Sequence, residues 1–178
     1  MNAPDTVRQE ASEPQGPTNR GPIRRVDDLE IFGAAQTNAS ILFTGGAHAR
    51  SQAHRIHSLS GWRWGPFLTV DCGAPQPMLE QQLFDVLCRD NPRPDVEPGA
   101  RLLQAGTIFL QDVGNLSPAM QVRLADALSH AATNRGASGS RWRVMASTQE
   151  PLLPRVLDGT FDDRLHYRLN AIHFVLAP

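Results

Sequence analysis

The sequence contains no lysine, and all 17 of its basic residues are arginine. A phosphate-binding loop of the pattern G-x-x-x-x-G-K-[ST] uses a lysine ammonium to neutralise the phosphates of a bound nucleotide. The absence of lysine therefore excludes an intact loop of this kind anywhere in the chain. It leaves open a weaker anion site, made by backbone N–H groups at a helix N-terminus or by an arginine side chain.

Cysteine and long apolar runs are also scarce. The two cysteines, Cys72 and Cys88, are expected to be free thiols rather than a structural disulfide. No apolar run approaches the length of a membrane span, and the N-terminus lacks the apolar segment of a signal peptide. The net charge of −1 gives no overall attraction to nucleic acid. We therefore expect a cytoplasmic protein with no direct DNA binding and no membrane contact.

The 178 residues suit one domain and a tail. Residues 1–22 are polar and rich in Pro, Gly, Gln and Glu, which is the composition of a disordered tail. Residues 23–178 are expected to form the domain.

The most informative stretch is Ala105–Pro118. Four apolar or β-branched residues, Thr107–Leu110, run without a break and are followed by Gln111 and Asp112. This pattern predicts a strand buried on both faces that ends in polar side chains. In open α/β sheets, ligands bind at such strand ends.

Strands and helices are predicted to alternate along the rest of the domain, which indicates an α/β fold. The other predicted strands are 40–44, 65–72, 142–148 and 171–176. The predicted helices are 23–35, 52–59, 78–87 and 118–132. In the last helix, the expected inward-facing residues are Met120, Val122, Leu124, Ala127, Leu128 and Ala131. Trp62 and Trp64 flank a turn; exposed, they would mark a contact surface, but they are expected to be partly buried at the sheet edge.

Three segments carry a resemblance to a known family. They are G-P-F-L-T-V-D-C at 65–72, A-G-T-I-F-L-Q-D-V-G-N-L-S at 105–117 and F-D-D-R-L-H-Y-R-L-N at 161–170. Together they resemble the AAA+ domain of sigma-54-dependent transcription activators, the NtrC-like family, over roughly residues 23–178. The resemblance implies a five-stranded parallel sheet sandwiched by helices, the α/β subdomain of a P-loop NTPase, here without the helical lid.

The resemblance also places a nucleotide site, which is degenerate in this chain. Gly45 and Gly46 begin the turn that corresponds to the Walker A loop, but the segment is two residues shorter than the family pattern. Arg50 lies between the two positions, Ala49 and Ser51, on which the missing lysine can fall. Gly45, Gly46, Arg50 and Ser51 are thus either a weakened anion site or part of a plain strand-to-helix turn.

The remaining family positions are changed as well. Gln111 and Asp112 replace the Asp-Glu pair of Walker B, and Gln149 stands at the sensor asparagine. Of two arginines that act across the subunit interface in the family, the first corresponds to Asp162 and the second is retained as Arg168. Arg168 is a candidate trans arginine finger, or forms an ordinary helix salt bridge.

Two further features concern contacts of the domain. Arg164 replaces an acidic residue of the family and is expected to restore the local charge balance beside Asp162. A short connector, 89–99, stands where the family has a long loop that touches the sigma factor.

These changes lead us to expect a catalytically inactive domain, a pseudo-ATPase, that acts in transcription regulation through protein contacts. We expect no catalytic residue, no metal site and no required cofactor, with ATP and Mg²⁺ bound weakly if at all. The expected partner is a protein, such as an intact sigma-54-dependent activator subunit, and oligomers are compatible with this. The alternatives are a nucleotide- or phosphate-binding module without hydrolysis and, third, a slow ATPase. Of His48, His54 and His57, only His54 and His57 share a helix face as two conceivable metal ligands, and because no third ligand has a matching spacing, ordinary helix histidines are expected.

Overall fold

The computed structural model describes residues 28–87, 106–133 and 142–176. The predicted tail 1–22 and the connector 89–99 lie outside these ranges. The helices are α1 (Asp28–Ala35), α2 (Ala49–Leu59), α3 (Gln76–Leu87), α4 (Pro118–Thr133), α5 (Leu153–Leu157) and α6 (Asp163–Leu169). The strands are β1 (Ile41–Thr44), β2 (Phe67–Asp71), β3 (Gly106–Gln111), β4 (Trp142–Thr148) and β5 (Ile172–Val175). A short 3₁₀ turn, Val113–Asn115, follows β3.

The five strands form one parallel sheet in the order β2-β3-β4-β1-β5. β4 is central, with Leu110 of β3 opposite Ala146 and Phe43 of β1 opposite Ser147. This arrangement confirms the predicted five-stranded parallel sheet. It also brings the carboxyl ends of β1, β3 and β4 side by side.

Two apolar layers cover the sheet, one on each face. Side chains alternate between the faces along a strand, so Leu42 joins one layer while Ile41 and Phe43 join the other. The first layer includes Leu124 of α4 and residues of α3 and α6. The second includes residues of α1 and α2. The sheet is therefore sandwiched by helices, as predicted.

Helix α1 contacts the core through a few side chains on one side. In α1, Ile31, Ala34 and Ala35 face the core, whereas Leu29 is 83% exposed and Phe32 is also exposed. The predicted start at residue 23 lies outside the described ranges. The helix needs only one narrow apolar stripe to contact the sheet.

Helices α2 and α4 and the turn before β2 differ from prediction. α2 begins at Ala49, three residues before the predicted Gln52. In α4, Val122 is exposed, while the polar Gln121 is buried. Trp64 is 76% exposed, although Trp62 is half-buried and donates from its indole to Asn38 Oδ1 at 3.1 Å. The expectation of a partly buried pair thus holds for Trp62 and is wrong for Trp64.

A buried arginine joins α1 to the amino end of the sheet. Arg143 of β4 is 2% exposed and donates to the carbonyl oxygens of Ala34, at 2.6 Å, and Ala39, at 3.3 Å. Burial lowers the pKa of this guanidinium to about 10. Arg143 therefore connects the end of α1, where Thr37 N and Oγ1 also donate to Ala34 O, to the link before β1.

A buried histidine lies beside this arginine. His57 of α2 shares a hydrogen bond between Nδ1 and Thr107 Oγ1 at 2.9 Å, and Thr107 is opposite Arg143 in the sheet. Burial is the largest cause that lowers the pKa of His57, followed by the neighbouring His54. The amino end of the sheet thus contains a buried polar cluster formed by Arg143, His57 and Thr107.

No helix within residues 28–87, 106–133 and 142–176 has the length and apolar character needed to span a bilayer.

Candidate functional site at the carboxyl ends of the strands

The turn between β1 and α2 contains just four residues, Gly45–His48. Gly45 and Gly46 have φ of 77° and 73°, a region that glycine adopts without steric cost. The Gly45 N–H donates to Thr148 O at 2.9 Å, and a Cβ on Gly45 would lie 3.1 Å from the carbonyl oxygen of Leu176. The two glycines are therefore required to turn the chain closely past β4 and β5.

Arg50 and Ser51 lie in the first turn of α2. Ser51 Oγ donates to His48 O at 2.9 Å, so the serine is engaged within its own helix turn. Arg50 is exposed, and its guanidinium has no hydrogen bond or ion pair with any other described residue. His48 provides no side-chain cap for the helix. The predicted anion-site residues are thus close in the chain, but the side chains of Arg50 and Ser51 do not converge to enclose an anion.

Asp112 follows β3 in a left-handed conformation, with φ 52° and ψ 54°. Its N–H donates to Ser147 Oγ at 3.1 Å, and its carboxylate accepts from Gln149 Nε2 at 2.8 Å. The structure therefore brings together the two residues predicted at the Walker B acid and the sensor positions. The side chains of Asp112 and Gln149 are thus hydrogen-bond partners of each other.

Gln111, the other changed Walker B residue, is half-buried at the end of β3 and lies opposite Asp71 of β2. The Asp71 carboxylate accepts from its own turn, from Gly73 N at 2.9 Å. Cys72 follows Asp71 in the chain. Burial is the largest cause that raises the pKa of its thiol, to about 12, and the charges of Asp71 and Asp112 raise it further. The thiol therefore stays protonated at neutral pH and is a poor nucleophile.

The histidines do not converge on a metal site. His57 is buried against Thr107, and His54 packs edge-on against the Phe67 ring, with centroids 5.2 Å apart. Among the residues that the structure describes, no three His, Cys, Asp or Glu side chains are grouped as metal ligands.

At α6, Asp162, which corresponds to the first of the two family arginines, has a structural role. Asp162 is the N-cap, and its Oδ1 accepts from Leu165 N at 2.8 Å. Arg164 lies 3.4 Å from Asp162 and 3.2 Å from Asp126, which confirms the expected local charge balance.

Arg168, the retained candidate finger, is half-buried. Its carbonyl oxygen accepts from Ser40 Oγ, which fixes the end of α6 against the start of β1. Within the described part of the chain, its guanidinium forms no ion pair, so the helix salt bridge finds no support there. Its action across an interface stays a prediction.

Two residues that connect the site to its surroundings were missed by sequence reasoning. Gln121, buried in α4, donates to Leu116 O at 2.9 Å and accepts from Asp162 N at 2.8 Å. Arg155 of α5 donates to Gly114 O at 2.7 Å. The position of Gln121 in S-P-x-x-Q, among inward-facing apolar residues of α4, was the available signal.

Comparison with known proteins identifies the family. The family model described as the sigma-54 interaction domain matches residues 28–175. A sigma-54-dependent transcriptional activator of Pseudomonas putida, SfnR, is 34% identical over 161 residues, which cover 81% of this chain and 42% of that protein. The acetoin catabolism regulatory protein of Cupriavidus necator is 34% identical over 134 residues, covering 71% of this chain and 20% of the relative. The chain thus spans less than half the length of these relatives.

Solved structures share the fold. NtrX from Brucella abortus in complex with ADP superposes with a TM-score of 0.64 at 24% identity, over 83% of this chain and 34% of that one. The P-loop NTPase domain of a sigma-54 activator from E. coli gives 0.56 at 13% identity, over 84% and 91%. The chain therefore belongs to the sigma-54 interaction domain family, whose members are AAA+ ATPase-like domains of bacterial transcription regulators.

Proposed function

We propose that this domain is a pseudo-ATPase that acts in transcription regulation through contact with an intact sigma-54-dependent activator subunit. The observation that carries the proposal is the turn at Gly45–His48. It has four residues, and the position where the P-loop pattern requires lysine, counted from Gly45, is Ser51 inside α2. The turn offers neither the length nor the cation that a triphosphate needs.

The strand ends support the same conclusion. Phosphoryl transfer depends on a lysine on the phosphates, carboxylate-held Mg²⁺ and a group that orients the attacking water. Asp112 is the one carboxylate left in the Walker B pair, and its hydrogen bond to Gln149 engages both side chains. Because loss of a single such group already costs orders of magnitude in rate, their combined loss leaves no useful turnover.

The proposed contact with an activator subunit depends on Arg168. The residue is half-buried, and its guanidinium has no ion-pair partner among the described residues. An arginine supplied across an interface stabilises the charge that develops on a transferred phosphoryl group. In this proposal, the domain offers Arg168 to the nucleotide of the neighbouring activator.

The test measures phosphate release by an intact sigma-54-dependent activator from the same cell, with and without this protein. We expect the wild-type protein to change the rate and Arg168→Ala to abolish that change. The matched control is Arg164→Ala, which removes an arginine from the same helix whose side chain is paired with Asp126 and Asp162. An equal effect of both variants, or no effect of the wild type, contradicts the proposed contact.

A phosphate-ligand module without hydrolysis is the second candidate. Two observations favour it. The His48 side chain does not cap the first-turn N–H groups of α2, and Arg50 beside them is exposed. Titration calorimetry with Mg²⁺-ATP separates the two functions. Absence of heat at millimolar ATP removes the module, whereas binding that Arg50→Ala weakens supports it.

A further inference from the structure

We propose that Gln121 couples the strand-end site to the helix that carries Arg168. The inference deepens the proposed function, because it explains how the surface offered to a partner is held relative to the degenerate nucleotide site. It concerns two places that are distant in the sequence: the 3₁₀ turn after Asp112, and the N-terminus of α6.

The coupling follows from the two hydrogen bonds of one amide. Gln121 is 2% exposed. Its Nε2 donates to Leu116 O, directly after the 3₁₀ turn, and its Oε1 accepts from the N–H of Asp162, the N-cap of α6. A buried amide whose two ends are both satisfied holds its partners at fixed positions, because breaking either bond leaves a buried polar group unpaired.

Hydrogen bonds connect the elements on either side to this amide. On one side, Asp112 is bonded to Ser147 and Gln149 and begins the 3₁₀ turn. On the other side, the Asp162 carboxylate caps Leu165, so a displacement of Asp162 moves the first turn of α6. Arg155 gives a second, parallel connection from the 3₁₀ turn to α5 through Gly114 O.

Asp112 is also the point at which the turn is easiest to disturb. Its backbone is left-handed, a conformation that aspartate and asparagine tolerate better than other side chains except glycine. Asp112→Ala removes the acceptor for Gln149 and places alanine in an unfavourable conformation. We expect the 3₁₀ turn to relax and the change to reach α6 through Gln121.

A single tyrosine on α6 provides a spectroscopic probe of this helix. Tyr167 is the single tyrosine of the chain, it is 83% exposed on α6, and it precedes Arg168. Protein labelled with fluorotyrosine therefore gives one fluorine NMR resonance, which reports the helix. The measurement needs neither nucleotide nor partner, so its failure is distinguishable from failure of the proposed function.

The experiment compares Asp112→Ala with Asp71→Ala in the labelled full chain and repeats Asp112→Ala in two Gln121 backgrounds. Asp112→Ala is expected to displace the Tyr167 resonance. Asp71→Ala, the same change at the end of the neighbouring strand, is expected to leave the resonance in place, because its carboxylate bonds within its own turn at Gly73. In Gln121→Leu and Gln121→Glu backgrounds, the displacement caused by Asp112→Ala is expected to fall by at least half.

Each contrary outcome overturns the proposal. An unmoved resonance in Asp112→Ala shows that no coupling exists, and this arm remains decisive even where a Gln121 variant does not fold. A displacement of equal size in Asp71→Ala, or one that persists in both Gln121 backgrounds, shows that the coupling takes another route. Gln121→Glu keeps the acceptor for Asp162 N and removes the donor to Leu116 O, so its result identifies which bond transmits the change.

Discussion

The polar side chains at the two ends of the parallel sheet differ in burial. At the amino end, Arg143, His57 and Thr107 are buried and serve the structure. At the carboxyl end, Asp112 and Gln149 pair with each other near the surface. Removing the partner of a buried polar group costs much free energy, whereas removing the partner of an exposed one costs little because water replaces it. We therefore expect stability to depend on the amino end, and any contact with a ligand or partner to depend on the carboxyl end.

Replacing the buried arginine should have the largest effect. Arg143→Ala leaves the Ala39 carbonyl without its donor, at a cost of roughly 1–3 kcal/mol, and leaves Ala34 O with the donors of Thr37 alone. The cavity left by this fully buried side chain adds to the cost and release of a desolvated charge offsets part of it, so we expect the free energy of unfolding to fall by about 3 kcal/mol. Urea unfolding measures it, with Arg164→Ala as the exposed control. A loss below that of the control contradicts a structural role for Arg143.

A matched pair of glycines compares the two ends directly. A Cβ on Gly106, at the start of β3, would lie 2.3 Å from the backbone oxygen of Pro66, so Gly106→Ala should cost about 1–3 kcal/mol. A Cβ on Gly114, beyond the end of β3, would lie 2.9 Å from Nη1 of Arg155, which donates to Gly114 O, so Gly114→Ala should cost about 1 kcal/mol, the value of that one hydrogen bond. Equal losses in urea unfolding would remove the contrast between the ends.

The buried histidine should make stability depend on pH. His57 faces His54 on its own helix, Thr107 of β3, Arg143 of β4 and the carbonyl of Gly65. Since its pKa in the folded protein is below the ordinary 6.5, the unfolded chain binds more protons as the pH falls below 6.5. The free energy of unfolding should therefore decrease with falling pH in this range and be level above it. His57→Gln should flatten the decrease in unfolding experiments across this range, and an unchanged slope would contradict the assignment.

The exposed pair at the carboxyl end should contribute least. Gln149→Ala removes one solvent-accessible hydrogen bond to Asp112, so we expect a change within about 0.5 kcal/mol in urea unfolding. Thr107→Val, which removes the buried hydroxyl bonded to His57, is the matched comparison and should cost more. A larger loss for Gln149→Ala would reverse the ranking of the two ends.

The sequence predicts the strands far better than it predicts which polar groups are buried. The unbroken run Thr107–Leu110 identifies β3, because a strand covered on both faces admits few polar residues. The burial of Arg143 and Gln121 was missed, since apolar periodicity carries no information about a polar side chain whose partners are backbone groups of another element. The contact between Asp112 and Gln149 was missed because it depends on the register of β3 and β4 and on the left-handed backbone at Asp112.

Phosphate release from Mg²⁺-ATP by the purified protein alone tests the central claim most directly. The account predicts release no faster than in a protein-free blank, and no difference between wild type and Asp112→Ala. Release above the blank that Asp112→Ala abolishes would contradict the account and show that the altered strand ends form a working enzyme.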